Sequence, residues 1–145
     1  MCSLWDVSHR NHLTYPRFDM RQDEHRLQVA CVRWFSYEYP KLKHLLIAIP
    51  NGGKRHLTTA KKLKAEGAKA GVPDLFLAVP TQFNSGLWIE MKAEKGRLRP
   101  SQSDYLESLL NVGYDTTVCR SFDDFQKAIQ DYFTLKKTNK SWRKS

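Results

Sequence analysis

In "LWIEMKA" (residues 87–93) a carboxylate and an ammonium, Glu90 and Lys92, stand among Leu87, Trp88, Ile89, Met91 and Ala93. In a strand, successive side chains point to opposite faces. Glu90 and Lys92 therefore share a face with Trp88, and Leu87, Ile89 and Met91 share the other. An unpaired charge in an apolar setting is costly, so the pair calls for a chemical reason. Asp74 suggests one. It opens the preceding apolar run "DLFLAV", directly after a Gly-Val-Pro turn. If the two runs pair as neighbours, Asp74, Glu90 and Lys92 converge on one patch. Carboxylates brought together repel and need something positive to hold them. A hard divalent cation such as Mg²⁺ takes oxygen ligands and keeps several waters, which suits two carboxylates and a backbone carbonyl. With an ammonium beside it, the site suits attack on a phosphate, where charge grows on the phosphorus oxygens. The plainer alternative is an i, i+2 ion pair on the solvated face of an edge strand. Trp88 on the same face weighs against it.

These residues need elements to position them. From Arg21 to Glu38, apolar Leu27, Ala30, Cys31, Trp34 and Phe35 recur at helical spacing until Pro40 ends the run. "LLIAI" (45–49) is a short strand cut off by the turn "PNGGKR", and "HLTTAKKLKAEG" (56–67) reads as a basic helix. Residues 74–79 and 87–93 are strands joined by a loop. Pro100 near its start and Gly113 at its end frame a further helix over 99–113. "DTTVCR" (115–120) is a strand. The last helix opens at Ser121, with Asp124 three residues on, and carries the stripe Phe122, Phe125, Ile129, Tyr132 and Phe133. This order predicts an α/β domain, a central sheet flanked by helices. Gln102 shares a stripe with Tyr105, Leu106, Leu109 and Leu110, so it faces inward and needs a polar partner, which the metal site would provide. Asp23 and Glu24 both flank the stripe of the first helix, and periodicity does not choose between them.

The chain has 145 residues, enough for one domain with a real core, and its 41% hydrophobic content argues for a folded globule. Its 24 basic against 15 acidic residues give +9, a charge suited to a polyanion. No apolar run is long enough to span a membrane. The N-terminal residues lack a signal-peptide pattern, so a cytoplasmic location is expected. Cys2, Cys31 and Cys119 are too scattered for a disulfide framework or a zinc set, and His9 and His12 have no cysteine partner nearby. Residues 1–20 read as an irregular arm, 21–135 as the domain and 136–145 as a basic tail. Asn51, Lys54 and Arg55 in the Gly-rich turn could meet a phosphate, followed by Lys61 and Lys62.

Taken in order, "E…Q" in the first helix, "IPNGGKR", "KAEGAKAGVPDLFL", "WIEMKAEKGRLRPSQ", "GY" and "CRS" resemble the VRR-NUC (virus-type replication-repair nuclease) family of the PD-(D/E)XK superfamily. The likeness runs from about Glu24 to Phe133. It implies a restriction-endonuclease-like core with a mixed sheet, and a Mg²⁺- or Mn²⁺-dependent deoxyribonuclease. By the same resemblance Asp74 and Glu90 match metal-binding acids, joined by Glu24 and the carbonyl of Met91. Lys92 matches the catalytic lysine, and Gln102 a glutamine after the E-x-K strand. Small stand-alone members resemble Holliday-junction resolvases, which implies branched DNA as substrate and a homodimer, in a host cytoplasm if the protein is viral. A less selective nickase, a flap nuclease and a silent DNA-binding module are the alternatives.

Overall fold

A computed structural model describes residues 24–50 and 57–134. The arm at 1–20, the turn at 51–55 with Asn51, Lys54 and Arg55, and the tail at 136–145 lie outside the described residues. The elements are α1 (Glu24–Glu38), a 3-10 turn (Lys43–Leu45), β1 (Leu46–Ala48), α2 (Leu57–Ala65), β2 (Leu75–Leu77), β3 (Leu87–Met91), α3 (Pro100–Asn111), β4 (Asp115–Cys119) and α4 (Phe122–Phe133). Each helix and strand expected from the sequence is present. The 3-10 turn is an addition, and it takes Leu45 out of β1. β2 is shorter than the run at 74–79, and beyond it the Val79 carbonyl accepts the Tyr132 hydroxyl at 2.6 Å.

The strands lie in the order β1-β2-β3-β4. β1 pairs antiparallel with β2, and β2 antiparallel with β3 through Leu75↔Ile89 and Leu77↔Leu87. β3 and β4 are parallel, Glu90 lying beside Val118. A parallel pair needs a crossover, and α3 supplies it. The sheet is therefore mixed, as the resemblance implied.

Alternation sorts the two faces. Leu75, Leu77, Leu87, Ile89 and Met91 are buried against Leu27, Cys31, Trp34 and Phe35 of α1 and Phe125 and Ile129 of α4. Trp34 meets the rings of Phe122 and Phe125 edge-on at 6.2 and 6.1 Å, a favoured arrangement for aromatic rings. α4 starts where a reciprocal cap forms. The Ser121 hydroxyl accepts the Asp124 N–H at 3.0 Å, and the Asp124 carboxylate accepts the Arg120 N–H at 2.9 Å. On the opposite face Phe76 stacks on Trp88 at 4.4 Å, and Tyr114 stands edge-on to both. α3 adds Gln102, Leu106 and Leu109 as its buried residues. Cys31 and Cys119 are free and buried, and burial pushes both thiols up, that of Cys31 to about 12. Among the described residues, no helix is long and apolar enough to cross a membrane.

Candidate active site

β3 is an interior strand, flanked by β2 and β4. Its far end is where the polar residues gather. The Lys92 N–H donates to the Cys119 carbonyl at 2.9 Å, so the backbone of the even-numbered residues faces β4 and that of Met91 faces β2. There the Met91 N–H donates to Asp74 Oδ2 at 2.8 Å. Continued by two residues, the β2–β3 register sets Pro73 opposite Met91. Proline has no N–H to give, so the ladder offers the Met91 carbonyl no donor from that position.

Glu90 is only 1% exposed and Lys92 8%. This rules out the solvated edge-strand pair. Glu90 Oε1 accepts from Gln102 Nε2 at 2.5 Å and lies 3.3 Å from Lys92 Nζ. The amide of Gln102 is oriented from its other end, where Oε1 accepts the Arg99 N–H at 2.9 Å at the start of α3. The inward-facing glutamine thus has Glu90 and the helix start as its partners. Glu90 Oε2 has no hydrogen-bond partner. Burial is the main reason that the Glu90 carboxyl is pushed up to about 7. The Asp74 carboxylate adds to the rise, Lys92 opposes it, and Glu24 adds a smaller increment.

Glu24, the first residue of α1, reaches the same end of the strand. Its Oε1 accepts the Ala93 N–H at 3.2 Å and lies 3.8 Å from Lys92 Nζ. Lys92 is thereby held between Glu90 and Glu24. Asp23 lies outside the described residues. A cleft of about 480 Å³ opens here, lined by Glu24, His25, Gln28, Ala48, Ile49, Pro50, Asp74 and Met91. His25 and Gln28 had no site role in the reading of the sequence, although the "E…Q" of the first helix entered the resemblance. For Gln28 the available signal was its i, i+4 spacing from Glu24.

Gly71 sets the loop that delivers Asp74. Its φ is +83°, and a Cβ there would stand 2.2 Å from the Ser101 carbonyl oxygen. Only glycine lets this loop press against the first turn of α3, beside Gln102. The Asp74 loop and the Gln102 helix are thus in direct backbone contact.

Among the described residues, no group of three or more His, Cys, Asp or Glu side chains is placed to hold a metal ion. Glu24 is turned to Ala93 and Lys92, and does not join Asp74 and Glu90 in a three-carboxylate cluster. The remaining donors still fit a hard divalent cation that retains waters. They are a buried carboxylate oxygen without a partner on Glu90, the neighbouring Asp74 carboxylate, and the Met91 carbonyl. The predicted Lys61 and Lys62 stand exposed on α2, a helix with no buried residue. Lys62 pairs with Glu66 at 3.9 Å.

Residues 17–123 match the family model of the VRR-NUC domain. A solved structure titled "VRR_NUC domain protein" superposes with a TM-score of 0.70 and 28% sequence identity, over 79% of this chain and 91% of that one. No curated protein matches. The interior strand with its buried acid and lysine, the mixed four-stranded sheet and the match over most of the sequence agree: this chain belongs to the VRR-NUC family and carries a nuclease domain.

Proposed function

We propose that this protein is a divalent-metal-dependent endonuclease that hydrolyses phosphodiester bonds in branched DNA, in the manner of a Holliday-junction resolvase. The observation that carries the metal dependence is the Glu90 carboxylate, buried on an interior strand with one oxygen lacking any partner. A buried carboxylate oxygen without a hydrogen bond is expensive, and a cation shared between Glu90 Oε2 and Asp74 would remove the cost.

In this reading Asp74, Glu90 and the Met91 carbonyl would hold Mg²⁺ or Mn²⁺. Glu24 would join them only on release from the Ala93 N–H and Lys92. When bound, such a cation lowers the pKa of a water and neutralises charge on a phosphate. The chain's own groups do the rest. Lys92 stands 3.3 Å from Glu90, where its ammonium stabilises charge growing on the phosphate oxygens. Gln102 keeps Glu90 Oε1 fixed through its amide. The preference for branched DNA rests on the family resemblance. A junction has two-fold symmetry, so two sites related by a dyad, a homodimer, match it. The host cytoplasm is the proposed compartment.

The test is incubation with end-labelled four-way junction, flap and linear duplex DNA, in Mg²⁺, Mn²⁺ or EDTA. Junction cleavage in either metal, and none in EDTA, is the expected pattern. Equal cutting of all three substrates would replace the resolvase reading with that of an unselective nuclease. Cleavage undiminished in EDTA would remove the metal.

A further inference from the structure

The loop between β3 and α3 leaves the site directly after Lys92 and carries Lys95, Arg97 and Arg99 within five residues. All three are exposed, and none forms an ion pair among the described residues. Single lysines and arginines on a surface call for no explanation. Three unpaired cations on one short loop do, when that loop is also fixed in place.

Its fixation comes from three sides. The Gly96 N–H donates to the Ala93 carbonyl at 2.8 Å, which closes a turn around Glu94 and Lys95. The Arg120 guanidinium, at the end of β4, donates to the Gly96 carbonyl. The Arg120 backbone is in turn held by Asp124. Further along, the Arg99 N–H is bound to Gln102, the residue that also holds Glu90. Burial alternates from here on. Gly96 and Leu98 are partly covered, while Lys95, Arg97 and Arg99 are exposed. Arg99 is extended, with φ −74° and ψ 152°. In extended chain, residues two apart are roughly 6.6 Å from one another, a separation comparable to that of successive phosphates along one strand.

We infer that the 94–99 loop is a phosphate-tracking surface, on which Arg97 and Arg99, with Lys95, bind the nucleic-acid backbone next to the bond being cut. The inference rests on the nuclease reading above and adds where the substrate lies. It leads away from Lys92 along β3–α3, on a segment braced by Arg120. Arg120 is a positioning residue. Its guanidinium is held by a protein carbonyl, and it sets the path of the three that form no ion pair among the described residues.

Counterion release supplies a test that fold integrity cannot mimic. Each phosphate contact contributes about 0.9 to the slope of log K against log salt for duplex DNA, and roughly 0.7 for single strands. The full chain is titrated into labelled four-way junction DNA over a salt series, with the divalent metal replaced by EDTA to prevent cutting. Saturating single-turnover cleavage in Mg²⁺ is measured alongside. For the triple variant Lys95→Ala, Arg97→Ala, Arg99→Ala the slope should fall by about 2 to 3, with weaker binding at low salt and slower cleavage alongside. Glu94→Gln, which removes the one acid of the loop, should tighten binding. A triple variant that binds with the parent's slope, or a Glu94→Gln variant that does not tighten, would overturn the inference even while the parent binds and cuts. A parent that binds no DNA would overturn it together with the nuclease reading beneath it.

Discussion

Lys92 is held between two carboxylates, 3.3 Å from Glu90 and 3.8 Å from Glu24, and its chemistry can be separated from that ion pairing. Lys92→Met removes a positive neighbour and leaves both acids, so calorimetry should show Mn²⁺ binding retained or tightened. Single-turnover cleavage should fall by on the order of 10² to 10⁴, the range of such catalytic groups. A variant cutting within a few-fold of the parent would reduce Lys92 to a structural partner. Glu90 has its own signature. Its carboxyl rises from 4.5 to about 7, chiefly through burial. The folded state therefore holds this proton more tightly than the unfolded chain. In EDTA its contribution to stability is full below about 4.5 and is lost as pH climbs through about 7. A cation must displace the same proton. Mn²⁺ affinity should thus weaken toward tenfold per pH unit below about 7 and level off above it. Affinity independent of pH between 5 and 8 would show that Glu90 does not hold the ion. Much of this was legible in the sequence. Alternation set Glu90 and Lys92 on the Trp88 face, and the α3 stripe turned Gln102 inward. The attachment of Glu24 to the Ala93 N–H was not, because it joins residues 69 apart in the chain.

Elements meet at the site through backbone, and Gly71 marks the tightest contact. Gly67 is the natural control. Its φ is also positive, at +103°, but nothing lies within 4 Å of a Cβ built there. Gly67→Ala should cost about 1 kcal/mol of conformational strain. Gly71→Ala adds an overlap with the Ser101 carbonyl, a further ~1 to 3 kcal/mol, and shifts Gln102 relative to Glu90. Thermal melts and cleavage rates should therefore separate the two variants, with activity lost at Gly71 and kept at Gly67. Equal effects would mean that the loop does not position α3. α2 presents the opposite case, a nine-residue helix with no buried residue and Leu57 76% exposed. So short a helix is marginal without packing, and its amides should exchange with solvent far faster than those of β3. Protection equal to β3 would reveal a partner surface. The helices and strands themselves followed from periodicity and from Pro100, Gly113 and Ser121. Whether α2 packs on anything depends on long-range contacts, which its own pattern does not encode.

The whole chain carries a net charge of +9, while its candidate site is built from carboxylates. That contrast suits a protein that gathers a polyanion and holds a cation within it. The sequence carried this much: an α/β fold, a basic composition and a family pattern from "GVPD" to "IEMK". It carried less about which cations matter. Lys61 and Lys62 sit on the unpacked α2, whereas the braced loop with Arg97 and Arg99 emerged only once Arg120 was seen to donate to Gly96. In the proposed function, Asp74 and Glu90 hold a metal whose chemistry cuts the DNA backbone. The most direct measurement is single-turnover cleavage of one labelled junction in Mg²⁺ by the parent, Asp74→Asn and Glu90→Gln, each at saturating protein. Cleavage by the parent alone is expected, with both variants folded and binding the same DNA with nearly parental affinity. Cleavage by both variants at rates near the parent's would contradict that function.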